Sequence, residues 1–159
     1  MWIPYKSYEE KALYIINANN YAVIATSDKT AKPWGTVVFY AYDNAFNFYF
    51  ISAIDSLHSA NIAENPYVTM VIFDSMQPIG SYDEVQIYGK ASTMPKNAIG
   101  KALKIYTKRL FSKSKGLVTD EYDPMEYDAP SEFRIFKVVP DKIFTTTGYR
   151  RTEVDLKQG

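Results

Sequence analysis

Four side chains that handle protons and anions, Ser52, Ser56, His58 and Ser59, crowd into the stretch YFISAIDSLHSANIAENP at residues 49–66. The apolar run before them reads as the end of a strand. Asn65-Pro66 reads as the close of one short helix, so the polar residues gather where that helix begins. A helix start leaves backbone N–H groups unpaired and carries partial positive charge, which suits an anion, phosphate above all. Ser56 is a good N-cap, and hydroxyls beside free N–H groups donate to phosphate oxygens. The ring N–H of His58 would add a donor, and its protonation a charge. The same pattern also describes an ordinary capped helix with nothing bound.

Other chemistry is thin. With no cysteine and a single histidine, thiolate catalysis, a disulfide framework and a multi-histidine metal centre are excluded. No Gly-x-Ser-x-Gly elbow, Gly-rich dinucleotide loop or nucleophile–base pair stands out. The carboxylates of Asp120, Glu121, Asp123, Glu126 and Asp128 lack calcium-loop spacing and read as a solvated acidic loop. Lys101, Lys104 and Lys108 read as the solvent face of a helix. Balanced charge, 18 basic against 18 acidic residues, gives no long-range pull on nucleic acid or an anionic membrane. No apolar run approaches the roughly 20 residues of a membrane span, and the N-terminus lacks a signal-peptide pattern. A cytoplasmic protein is the expectation. A neutral chain with 14 tyrosines and 9 phenylalanines has surface to hide, which points to a homodimer.

The elements that must position the polar turn follow from periodicity and punctuation. Ser7 and Glu10 have capping-box spacing and predict a first helix over 8–17. Residues 21–26 (YAVIAT) form a buried strand. Residues 33–42 and 46–52 are aromatic and β-branched around Asp43-Asn44 and read as a hairpin. Residues 67–74 form another buried strand. Residues 84–93 alternate, with Val85, Ile87 and Gly89 on one face and Glu84, Gln86 and Tyr88 on the other. Ile99, Leu103, Tyr106 and Leu110 share one stripe of a helix over 96–112. The acidic, tyrosine-rich stretch 116–130 reads as a loop or lid. Residues 133–139 (FRIFKVV) alternate again, Pro140-Asp141 is read as a turn, and 143–147 as a last strand. The tally is a mainly β chain of one domain with flanking helices. Its six or seven antiparallel strands, in meander order, suggest a small closed barrel.

In order and spacing these segments resemble the flavin-binding split barrels of the pyridoxamine 5′-phosphate oxidase-like group. The resemblance spans residues 12–156. It rests on YAVIATSDKTAKPWGTVVF, FYFISAIDSLHSANIAENPYVTMVIF, VQIYGKAST and FRIFKVVPDKIFTTTGYRRTEVDL. The second piece is the most specific: a strand ending in Ser, a short turn, Ser-x-His-x-x-Asn, then Asn-Pro and a strand. The resemblance implies a split β-barrel, Greek-key-like, forming a homodimer with FMN at the subunit interface. Trp34, Gly35, Thr36 and Val37 would run along the flavin ring and offer backbone groups to its polar edge. Ile51 and Ser52 would lie beside the phosphate and ribityl chain, with Ser56, Leu57 and His58 cradling the phosphate. Glu84 and Gln86 would place polar groups near the flavin. Arg150 and Arg151 fall near the substrate-binding arginine of the true oxidases.

The departures narrow the function. The true oxidases carry Arg-Lys where this chain has Leu57-His58, a basic residue near Gly35, and an Arg-Leu-x-Pro-like tail that is absent here. The resemblance therefore implies an FMN-dependent reductase or oxidase of a small planar substrate, and not pyridoxamine phosphate oxidation. A haem- or flavin-holding protein without turnover, a deazaflavin-dependent reductase and a cofactor-free dimeric module stay open.

Overall fold

The computed structural model describes residues 5–115, 123–147 and 149–156. Helix α1 (Tyr8–Ala18) begins as expected. Ser7 Oγ accepts from the Glu10 N–H at 3.1 Å, and the Glu10 carboxylate reaches back to the Lys6 N–H. The helix buries Ala12, Ile15 and Ile16 and ends at Asn19, whose backbone N–H and side-chain amide both donate to the Ile15 carbonyl.

Eight antiparallel strands follow in one sheet: β1 (Tyr21–Ser27), β2 (Pro33–Phe39), β3 (Ala41–Tyr42), β4 (Phe48–Ala53), β5 (Tyr67–Phe73), β6 (Glu84–Thr93), β7 (Phe133–Thr147) and β8 (Arg150–Val154). Helix α2 (Leu57–Glu64) links β4 to β5, and α3 (Ile99–Ser114) links β6 to β7. The path through the sheet is β2-β1-β5-β6-β7-β4-β3, with β8 beside β7. The chain is thus a split β-barrel, Greek-key-like and not a simple meander, because β4 lies against β7 and β5 against β1.

Three expectations need correction. Residues 33–42 do not hairpin with 46–52 as a unit. Pro33 to Phe39 pair with β1, from Tyr21↔Phe39 to Ser27↔Pro33, and only Ala41 and Tyr42 turn onto β4. The apolar character of both runs is right, but propensity does not name the partner. Nor do Pro140 and Asp141 turn the chain: β7 runs through them for 15 residues. The register slips there, Tyr88 facing Lys142 and Gly89 facing Pro140, so Asp141 is the extra residue of a bulge. A proline, lacking a ladder donor, is tolerated at such a point. Finally, 143–147 is not the last strand: it belongs to β7, and residues 150–154 add strand β8, paired with β7 from Ile143↔Val154 to Thr147↔Arg150. Of the expected loop 116–130, residues 116–122 lie outside the described residues. A 3-10 turn over Pro124–Tyr127 buries Tyr127.

Alternation places Ala22 and Ile24, Val68, Met70 and Ile72, Val85 and Ile87, and Phe48, Phe50, Phe136 and Val138 on the inner face, where they form the main core with α1. Phe50 and Phe136 are directly paired, and their rings stack 4.9 Å apart. The opposite face of β4 and β7 gives Tyr49 and Ile135 to a second cluster under α3, with Ile99, Ala102 and Leu103. Lys101, Lys104 and Lys108 face solvent as expected. Among the described residues no helix is long and apolar enough to cross a membrane.

Gly89 is where the bulge demands a particular residue. A Cβ there would meet the Val139 carbonyl oxygen at 2.2 Å and Pro140 Cα at 2.9 Å, backbone atoms that cannot swing aside. Gly89→Ala is therefore expected to cost about 2 kcal/mol or more, lowering the thermal midpoint by roughly 5 °C. Gly100→Ala, on helix α3 with its nearest contact at 4.0 Å, should leave the midpoint unchanged or raise it slightly. Equal midpoints for the two variants would contradict this account of the bulge.

Candidate functional site

Strand β4 delivers the chain to a turn that starts α2. Ser56, with extended φ and ψ, caps the helix: its Oγ accepts from the Ser59 N–H at 3.4 Å. The Ser56 and Ser59 hydroxyls lie 2.7 Å apart, and both reach the Ala53 carbonyl, at 2.8 and 2.7 Å. His58 folds back over the cap. Its Nε2 lies 2.6 Å from Ser52 Oγ and 3.2 Å from Ser56 Oγ, and its ring sits 6.4 Å from that of Phe50.

The helix is fixed from below by two asparagines. Buried Asn61 donates to Thr26 Oγ1 on β1 at 3.0 Å, and Thr26 Oγ1 donates onward to the Trp34 carbonyl of β2 at 3.4 Å. Asn65 donates to Ser27 Oγ at 2.9 Å. The same bonds that orient the polar turn therefore hold it against the β1–β2 hairpin. The sequence reading missed these positioning roles of Asn61 and Thr26. The spacing Asn-x-x-x-Asn on one helix face was the available signal.

The expected site residues fall into two groups. Ser52, Ser56 and His58 meet directly, and Leu57 stands half exposed at the helix start. Trp34 and Thr36 pair with Thr26 and Ile24, so they share the inner face toward α2. Gly35 and Val37 point to the outer face, where Val37 is 64% exposed. Ile51 points away from the turn and packs on the cluster under α3. Glu84 and Gln86 belong elsewhere. They lie on the outer face of β6, where Gln86 Nε2 donates to Glu84 Oε1 at 2.8 Å. The row Val37, Val23, Val71, Gln86 crosses four strands, so Gln86 lies roughly 14 Å from Val37 at about 4.8 Å per strand. Gln86 is paired with Phe144, whose ring carries the Arg151 guanidinium at 4.5 Å. Arg150 is exposed at the β7–β8 end.

The Ser52–His58 distance is that of a nucleophile–base pair, which the sequence reading did not single out. Among the described residues no ion pair joins His58 to a carboxylate, so the pair is not built as a triad. What the turn offers is a set of hydroxyls, a ring nitrogen and a helix N-terminus, a hydrogen-bonding surface for an anion.

Burial, with 8% of His58 exposed, holds its pKa below the ordinary 6.5, so the ring is neutral at neutral pH and gives hydrogen bonding without charge. The unfolded chain binds the proton first as pH falls. Stability from this group is therefore full above about 6.5 and is lost as pH drops through the folded-state value. Because the chain has one histidine, its Cε1–H resonance is unambiguous, and an NMR titration should give a midpoint below 6.5. A midpoint at or above 6.5 would rule out the buried neutral ring.

Comparison with known proteins agrees with this fold. A haem-binding protein from Mycobacterium smegmatis superposes with a TM-score of 0.72 at 17% identity, over 96% of this chain and 59% of its own. The present chain thus spans about three-fifths of that protein. The haem storage protein of Vibrio cholerae gives 0.65 at 12% identity, over 84% of this chain and 90% of its own. An F420 reductase gives 0.60 at 18% identity, over 89% and 98%. No curated protein matches by sequence. The family model for pyridoxamine 5′-phosphate oxidase matches residues 8–147, and the chain belongs to that family.

Proposed function

We propose that the protein binds FMN and is an oxidoreductase acting on a small planar substrate. The observation that carries this reading is the Ser52–Ser56–His58 turn at the start of α2, clamped to the β1–β2 hairpin in a chain of this family. The residues present fit such a group. The turn supplies hydroxyl and ring donors to a phosphate. Strand β2 ends the sheet path and has one pairing partner, leaving alternate backbone N–H and C=O groups open along its outer edge. A Cβ at Gly35 would meet only Val23 Cγ1, at 3.9 Å, so the outer surface beside it is smooth enough to lie along a flat ring.

When bound, FMN supplies the redox chemistry by taking up and releasing hydride. This chain's residues orient and select. Ser52, Ser56 and His58 would hold the phosphate, and Trp34 to Val37 would flank the ring. The second group, Glu84, Gln86 and Arg151 around Phe144, lies too far away to serve the same flavin within one subunit. A homodimer that sets this outer face against the α2 turn of a second copy would unite the groups. The exposed Val37, Tyr67, Phe73 and Tyr88 of the outer face are the apolar surface it would cover. Arg150 and Arg151 would then approach the substrate.

Haem and deazaflavin are the competing cofactors, since relatives are described as haem-binding and as an F420 reductase. Haem would require His58 Nε2 to leave both Ser52 and Ser56 for iron, whereas a phosphate can join the same hydroxyl network.

The purified protein, given FMN and freed of excess, should retain the two-band yellow absorption of an oxidised flavin, and it should elute as a dimer in size exclusion. The double variant Ser56→Ala/His58→Ala should weaken FMN binding more than tenfold, about 1.4 kcal/mol or more. A colourless protein would overturn the FMN reading. A Soret band on adding haem that disappears in His58→Ala would favour the haem reading.

A further inference from the structure

The proposed phosphate cradle has no cation of its own. Leu57 is apolar, His58 is held neutral by burial, and no lysine lies on α2. A phosphate monoester carries up to two negative charges, and neutral donors alone give weaker hydrogen bonds than charged ones. A positive charge must come from another element.

Strand β7 provides one. Arg134 is the direct cross-strand partner of Ser52, which puts their Cβ atoms about 5 Å apart on the same face. That face is the inner one: two residues on, Phe136 stacks on Phe50, and Phe50 touches the His58 ring. Half-buried Arg134 is aimed past the end of the sheet, where its Nη1 donates to the Ser131 carbonyl at 2.6 Å and to the Phe133 carbonyl at 2.7 Å. The loop it grips is tied to the α2 turn, since the Ile54 N–H donates to the Glu132 carbonyl at 2.8 Å. Arg134 is thus paired with Ser52 and anchored to a loop that is itself hydrogen-bonded to the turn carrying Ser52 and Ser56.

Its charge is uncommitted. Nη1 makes both bonds, and Nε and Nη2 carry three further N–H groups with no partner among the described residues. They are not sealed off from solvent. The ion pairs among the described residues do not include Arg134, although exposed Glu132 lies two residues before it and exposed Asp55 three residues after its cross-strand partner Ser52. An arginine fixed through one nitrogen, with its fork free, matches the bidentate geometry by which guanidinium grips phosphate.

We infer that Arg134 is the cation of the anion cradle, binding the phosphate monoester from β7 in place of the absent Arg-Lys pair on α2. The inference rests on the FMN reading above and adds its charge-bearing residue.

The test compares FMN with riboflavin, which lacks the phosphate, by quenching of flavin fluorescence on wild type, Arg134→Gln and Arg134→Lys. Wild type should prefer FMN, and added salt should erode that preference. Arg134→Gln should lose roughly tenfold or more in FMN affinity, about 1.4 kcal/mol. Its riboflavin affinity should not change, even where loss of the two carbonyl bonds lowers the ligand-free thermal midpoint slightly. Arg134→Lys should recover part of the loss. Unchanged FMN binding in Arg134→Gln would overturn the inference and leave the FMN reading standing. An equal loss for both ligands would overturn it in favour of a structural role. If wild type binds neither flavin, the FMN reading fails, and inorganic pyrophosphate is titrated calorimetrically on the same three proteins. Binding that is lost in Arg134→Gln keeps the anion site; no binding, or equal binding in all three, overturns it.

Discussion

One strand holds the structure together. Strand β7 bonds to β6 along one edge, and along the other to β4 over its first half and to β8 over its second. A strand of 15 residues cannot keep three partners in flat register, because twist accumulates along it. The bulge at Asp141 absorbs the mismatch, and Gly89 leaves room for the Val139 carbonyl to press against the neighbouring strand. Every feature of the site is referred back to this strand. Its first half fixes the height at which β4 ends, and hence where the polar turn begins.

Beyond that point short polar bonds, not apolar area, hold the turn. The Phe50–Phe136 stack closes the inner face just below Ser52. The next residues must satisfy their hydrogen bonds with one another, because the helix above excludes water from part of the turn. Ser56, Ser59 and the Ala53 carbonyl form one connected set, and His58 joins it through Ser52. Asn61 and Asn65 carry the same logic across to β1. A turn so constrained is pre-organised, which lowers the ordering cost of gripping a ligand.

The electrostatics divide labour between elements. Helix α2 supplies N–H groups and hydroxyls but no charge, and burial keeps its histidine neutral. Charge is found on the neighbouring strand, at a residue separated by 82 positions from Ser52 yet paired with it. On the outer face the polar pair Glu84–Gln86 and the Arg151–Phe144 contact form a separate, partly exposed patch.

The sequence by itself determined the type of most elements, the alternation of β6, the capping of α1 and α2, and the grouping of Ser52, Ser56 and His58. These are local properties, written within one or two turns of chain, where spacing and side-chain chemistry are sufficient. The family was legible too, because order and spacing of segments survive in the chain itself. Pairing was not. The partner of β2, the run of β7 through Pro140, the strand at 150–154 and the alignment of Arg134 with Ser52 all join residues that periodicity treats alike. Propensity says that a segment is extended and which face is apolar, but several strands satisfy that description equally. Only the closed set of backbone hydrogen bonds, together with the volume available at Gly89, selects among them. That is why the hydroxyls of the site could be read from the chain, and the cation beside them only from the fold.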